Sequence, residues 1–147
     1  MKKVGFVLSS TIALVWGAVA PAALGSDGAA GAARAVGPTV TVEVKSLTKT
    51  LLRPTAARGR TGWITKGGTP RGKCSARTAA GALDTATHGR WNGKYYSGVG
   101  IFVTSILGMK PSGTNYWALY LNGKYSNLGI CDINLHAGER LLFKIKK

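Results

Sequence analysis

Five acidic residues and two histidines are all that this 147-residue chain offers for acid–base chemistry. They are Asp27, Glu43, Asp84, Asp132 and Glu139, with His88 and His136. General acid–base catalysis needs two such groups converging on one reacting bond, and a structural zinc site needs four ligands. The spacing supplies neither. Asp132 and His136 fall on one face of an expected strand, four positions apart, too far to bond along an extended chain. His88 closes an expected helix, where a cation is favoured by the dipole. Glu43 sits on the outer face of a strand and Asp84 on the helix, and both read as solvated surface groups. Gly67-Gly68-Thr69-Pro70 lacks the Lys-Ser/Thr ending of a phosphate loop. The expectation is a protein that is not an enzyme, holds no metal and uses no cofactor.

Two other chemistries remain. Cys74 and Cys131 are the only cysteines, and an even count behind an export leader reads as one disulfide. It would close a loop of 57 residues, worth about 4 kcal/mol by chain entropy. A zinc pair or a nucleophilic thiol is the competing use of these cysteines. The second chemistry is electrostatic, since the formal net charge is +15. Lys45, Lys49, Arg53, Arg58, Arg60, Lys66, Arg71 and Lys73 follow one another with no acid between Glu43 and Asp84. Such a run attracts acidic envelope polymers or other polyanions, or simply keeps the protein soluble.

The elements that would position these residues follow from punctuation and period. Residues 1–25 have the layout of a secretory signal peptide: Lys2 and Lys3, an apolar run, then small residues. Residues 26–37 are Gly/Ala-rich and read as a flexible spacer, and 38–147 as one domain. Thr39 to Lys45 alternates strictly, with Val40, Val42 and Val44 on one face. Leu47 to Leu52 predicts a short second strand, and Arg53 to Lys73 a long loop. Ser75 to His88 predicts a helix capped by Ser75 and stopped by Gly89. Val99 to Ile106 follows as a strand. Tyr116 to Leu121, Gly129 to Leu135 and Leu141 to Ile145 predict a meander, its first turn the hairpin pair Asn122-Gly123. Its inner faces are Trp117/Leu119/Leu121, Cys131/Ile133/Leu135 and Leu141/Phe143/Ile145. Cys131 then faces the helix that Cys74 begins. The order predicts an α+β domain, a β-grasp-like mixed sheet with one helix packed across one face. Tyr116 and Tyr120 remain on the opposite face. With Trp91, Tyr95 and Tyr96 they form a candidate ligand face, since such rings stack on sugars or other rings.

Cys74 before the Ala-rich helix with Gly81-Ala82-Leu83, Trp91, Tyr116-Trp117-Ala118-Leu119-Tyr120-Leu121-Asn122-Gly123, Gly129-Ile130-Cys131, Gly138-Glu139 and Leu142-Phe143 together resemble the transcobalamin-like C-terminal domain family. The resemblance covers Val40 to Ile145. It implies a β-grasp fold in an exported, secreted or cell-envelope protein, with a role in binding a small ligand or a surface glycan. Cobalamin enters only by analogy with that family, whose name protein holds it mainly through a separate helical domain. Two features depart from the family's pattern: Gly138-Glu139 replaces the usual Gly-Asp, and the basic loop before Cys74 is longer. After signal cleavage no membrane span is expected.

Overall fold

The structure is a computed structural model that describes residues 34–147. The expected signal peptide and most of the expected spacer lie outside the described residues. Two strands, β1 (Ala35–Lys45) and β2 (Thr50–Arg60), precede a short helix, α1 (Ala79–Ala86). A hairpin follows, β3 (Trp91–Tyr96) and β4 (Gly100–Ile106), and then β5 (Tyr116–Leu121), β6 (Lys124–Tyr125) and β7 (Arg140–Lys146). The main sheet runs β2-β1-β7-β5-β6, and β3-β4 form a separate two-stranded sheet. β1 and β7 are parallel at the centre while their neighbours are antiparallel. With one helix across this mixed sheet, the domain is α+β, as the order of elements predicted.

The core forms where the alternation said it would. Val40, Val42 and Val44 of β1 and Leu141, Phe143 and Ile145 of β7 are buried side by side in register. Trp117 and Leu119 of β5 join them. The Asn122-Gly123 turn joins β5 to β6 with φ of 50° and 83°, the left-handed pair that a two-residue hairpin turn needs.

Four segments differ from the sequence reading. β1 begins at Ala35, inside the expected spacer. β2 continues to Arg60, through the first eight residues of the expected loop. It is an edge strand, so Pro54 costs no ladder bond there. Near its end it passes so close to the chain that a side-chain carbon at Gly59 would lie 2.8 Å from Arg77 Cα. The helix starts at Ala79 rather than Ser75. Ser75 pairs instead with Trp63 in an isolated bridge, and Ala76 is fastened to β2 by the Arg60 N–H (2.7 Å) and to Gly62 O by its own N–H (3.0 Å). Cys74 therefore sits in an extended segment before the helix.

The fourth difference concerns Gly129 to Leu135. Its side chains alternate as expected, with Cys131, Ile133 and Leu135 buried. Yet it is not a strand of the sheet, because β5 pairs directly with β7. Its carbonyls serve another purpose: Ile133 O accepts the Ala79 N–H and Ile130 O accepts the Ala80 N–H, each at 3.0 Å. The helix N-terminus has no side-chain cap, so this segment satisfies donors that would otherwise be orphaned.

Cys74 and Cys131 form the disulfide, their Cα atoms 4.9 Å apart and both side chains buried. The bridge spans 57 residues and ties the approach to α1 to the segment that caps it. Replacing both cysteines by alanine is expected to lower stability by about 4 kcal/mol. Urea unfolding of the oxidised and the doubly substituted protein measures this; coincident midpoints would show that the bridge contributes nothing.

Candidate ligand groove and charged surfaces

β6 pairs with β5 only at Tyr120 and Leu121. The edge of β5 from Tyr116 to Ala118 therefore has no strand beside it. β4 is likewise unpaired on its side away from β3. Between these two edges lies a groove of about 250 Å³. Its rim collects Val99, Phe102, Tyr125 and Leu128, four of the seven large apolar side chains that are exposed among the described residues. Val99 and Leu128 are each 62% exposed, a degree that no folding requirement explains. Trp117 borders the groove from the core side, and its indole N–H is buried without a partner.

Tyr116 and Tyr120 lie on the sheet face opposite the helix, as their alternation with Trp117 and Leu119 predicted, and both are half-buried. Tyr125 joins them from β6, its ring edge-on to Tyr120 at 5.8 Å. The Tyr116 phenol is raised above its ordinary value, chiefly by hydrogen bonding with Tyr125 and then by partial burial.

The other proposed ligand-face aromatics do not gather with these tyrosines. Trp91 is 1% exposed and belongs to the core. Its position directly after the helix reads as a loop aromatic, but the β3–β4 hairpin folds back and carries it inside. Tyr95 packs on the core from the same hairpin. Tyr96 is exposed at the hairpin's tip with the Lys94 ammonium 5.2 Å from its ring. Val99, Phe102 and Leu128 were missed. Phe102 left a signal, since it is apolar on a face that its neighbours Ile101 and Val103 leave to solvent.

Asp84 is also misplaced by sequence reasoning. It is buried, and three elements converge on it. Its Oδ1 accepts the Trp91 indole N–H at 2.8 Å, its Oδ2 pairs with Arg60 Nη2 at 2.8 Å, and Lys66 Nζ lies 3.8 Å from Oδ1. Lys66 also donates to Gly89 O at 2.7 Å and sits over the Trp91 ring. A small helix lies close against its surroundings, which brings its one carboxylate into the interior.

This dismantles the expected polyanion patch as a single surface. Arg60 and Lys66 are consumed by Asp84. Lys45 pairs with Glu43 at 2.8 Å, and Arg58 donates through Nε to Thr39 Oγ1 at 2.8 Å. Lys49, Arg53, Arg71 and Lys73 are exposed, but on separate elements: the β1–β2 turn, β2, and the turn before Cys74. Asp132 is exposed and His136 lies in a turn where its backbone N–H donates to Glu139 Oε2 at 2.8 Å, so the acids and histidines do not converge. Among the described residues no group of three or more His, Cys, Asp or Glu could hold a metal ion. No helix among them is long and apolar enough to cross a membrane.

Comparison with known proteins agrees with this architecture. The family model described as Domain of unknown function (DUF4430) matches residues 77–147, from α1 through β7. No curated protein matches the chain. Among solved structures, haptocorrin in complex with Cbi is similar over 75% of this chain at a TM-score of 0.55 and 17% identity. The chain spans 25% of haptocorrin's length. A protein from Ruminococcus gnavus ATCC 29149, proposed to bind metal, is similar over 76% of this chain and 98% of its own, at a TM-score of 0.54 and 11% identity. At such identities the likeness is one of fold. It supports a fold of the transcobalamin-like C-terminal type, which the sequence resemblance implied.

Replacing Asp84 by alanine leaves the Arg60 guanidinium and the Trp91 indole without their shared acceptor. The expected loss is about 3 kcal/mol, as for removing one partner of a buried ion pair. Chemical denaturation of the D84A variant reads it out; a change below about 0.5 kcal/mol, typical of surface sites, would mean that the cluster is decorative.

Proposed function

We propose that this chain is an exported, non-catalytic binding module that takes a small, flat, mainly apolar ligand or a cell-surface component in the groove between β4 and β5. The observation that carries this reading is the gathering of Val99, Phe102, Tyr125 and Leu128 on one concave site. Concave apolar surface with a few polar groups is the usual form of a ligand site. The polar groups are at hand. Leu119 O already accepts the Ser126 N–H, so Trp117, two residues back, turns its backbone N–H and C=O toward the same edge.

Export is supported by the disulfide, which persists in oxidising compartments. Fold likeness to haptocorrin adds that this architecture occurs within a ligand complex, but fold alone does not transfer a ligand.

A thermal-shift panel of cobalamin, haem and neutral oligosaccharides tests the reading. A ligand present at a hundred times its Kd adds about 2.7 kcal/mol, which raises Tm by several degrees in a domain of this size. The expected result is a shift for one member, lost in the Phe102→Ser and Leu128→Ser variants. No shift across the panel, or a shift that both variants retain, counts against the groove.

A further inference from the structure

Strand alternation sends Thr41, Glu43 and Lys45 of β1 and Arg140, Lys144 and Lys146 of β7 to the sheet face away from α1, where they are half-buried or exposed. On that face, strand register sets Lys45 of β1 beside Lys144 of β7. Lys146 lies opposite Tyr116, and Arg140 beside Thr41. Arg58 of β2 reaches the same face through its bond to Thr39. Glu43 is the single carboxylate there, and Lys45 is already bonded to it.

Like charges directly side by side on neighbouring strands destabilise a sheet. The Lys45–Lys144 pair is such an arrangement; Glu43 offsets Lys45 alone, and an anion beside Lys144 would relieve the rest. Space for one is present. A concavity of about 220 Å³ is lined by Lys45, Lys49, Lys144 and the β1–β2 turn residues Thr48 and Thr50. A second of about 460 Å³ is lined by Lys45, Thr41, Arg140, Asn122 and Leu142, with Glu43 as its one carboxylate. Lys45 borders both, so together they form one track across the strands from the β1–β2 turn to the β5–β6 turn. A track with cations along its length suits a chain of charges rather than a lone ion.

Beside it stand Tyr116, Tyr120 and Tyr125, with Lys146 Nζ 5.0 Å from the Tyr125 ring. Tyrosine rings stack on the apolar faces of sugar rings and leave the phenol free to bond hydroxyls.

We infer that this sheet face is a docking surface for an acidic polysaccharide, held by Lys45, Lys144, Arg140 and Lys146 at its carboxylates and by the tyrosine cluster at its sugar rings. The polysaccharide is favoured over nucleic acid by compartment: the disulfide belongs to the oxidising space outside the cytoplasm, where acidic glycans abound. The inference shares Tyr116 and Tyr125 with the β4–β5 groove but draws its cations from elsewhere. It also moves the polyanion surface away from residues 45–73 as a run, since Arg140, Lys144 and Lys146 come from the last strand and Arg71 and Lys73 have no part in it.

Binding of the full chain to polygalacturonate oligomers, followed by calorimetry, tests this, with dextran as the neutral control and a single-stranded oligonucleotide as the competing polyanion. Polygalacturonate is expected to bind, to weaken strongly between 0.05 and 0.5 M salt (roughly a threefold change in screening length), and to outcompete the oligonucleotide. Lys144→Glu and Arg140→Glu are each expected to weaken binding on the order of tenfold, as reversal of a contact charge does. Both residues are exposed, so the variants should keep the wild-type Tm; Lys144→Gln supplies a milder change should either fail to fold. Arg71→Glu with Lys73→Glu, and Phe102→Ser, are expected to leave binding unchanged. The inference is overturned by undiminished binding in the Lys144 and Arg140 variants, by tighter binding of the oligonucleotide, or by no binding of polygalacturonate at low salt.

Discussion

The docking of the α1 N-terminus on the carbonyls of Ile130 and Ile133 is the constraint on which the rest of this structure depends. An eight-residue helix made largely of alanine has little stability of its own. It persists because its first donors find fixed acceptors and because nearly all of it is buried. Gly81 permits that closeness, since a side-chain carbon there would overlap the Ala76 carbonyl. The disulfide holds the two partners in place from one side. The effect reaches beyond the helix. A side-chain carbon at Gly100 would touch Cys131 at 3.5 Å, and one at Gly129 would lie 2.8 Å from Val99 O. The start of β4 therefore rests on the stapled segment, and with it Val99, one wall of the groove. Fold stability and groove shape share one origin.

Asp84 secures the other end of the same helix. One carboxylate gathers Arg60 from β2, Lys66 from the connection after it and the Trp91 indole from β3. A chain with 20 basic and 5 acidic residues can neutralise few of its cations internally, and this cluster absorbs two of them. The remaining cations are left on other surfaces, and strand alternation directs those of β1 and β7 to the face without a helix. The charge distribution is thus a consequence of where a single buried acid sits.

What was legible in the sequence was local. Val40/Val42/Val44 and Leu141/Phe143/Ile145 declare their inner faces by period alone, and Asn122-Gly123 declares its turn by the φ values it tolerates. The cysteine pairing followed from count and compartment. What was not legible depended on non-local partners. Pro54 argues against a strand unless the strand is known to lie at an edge. Ser75 is a fitting cap, yet the bonds from Arg60 and Gly62 to Ala76 hold that stretch extended and delay the helix to Ala79. Gly129 to Leu135 has a strand's alternation because it lies along a core, though its backbone bonds a helix instead of a strand. Burial of Asp84 and Trp91 could be seen only once they were known to meet each other, and Asp84 to meet Arg60. The groove escaped for the same reason: its walls come from β4, β5 and the loop after β6, and none of these carries a motif.

Tyr125 is where the two candidate surfaces meet. It lines the groove and stands beside Lys146 at the border of the cationic face. Its ring is held edge-on by Tyr120, and its strand is only two residues long. A short edge strand has few ladder bonds to fix it, so its position responds to whatever packs on either side. A ligand seated in the groove and a chain laid on the sheet face would both touch Tyr125. The tyrosine cluster therefore borders both the apolar groove and the charged face. Tyr125 and Lys146 come together only through the pairing of β6, β5 and β7, which neither the aromatic residues nor the basic run shows in the sequence.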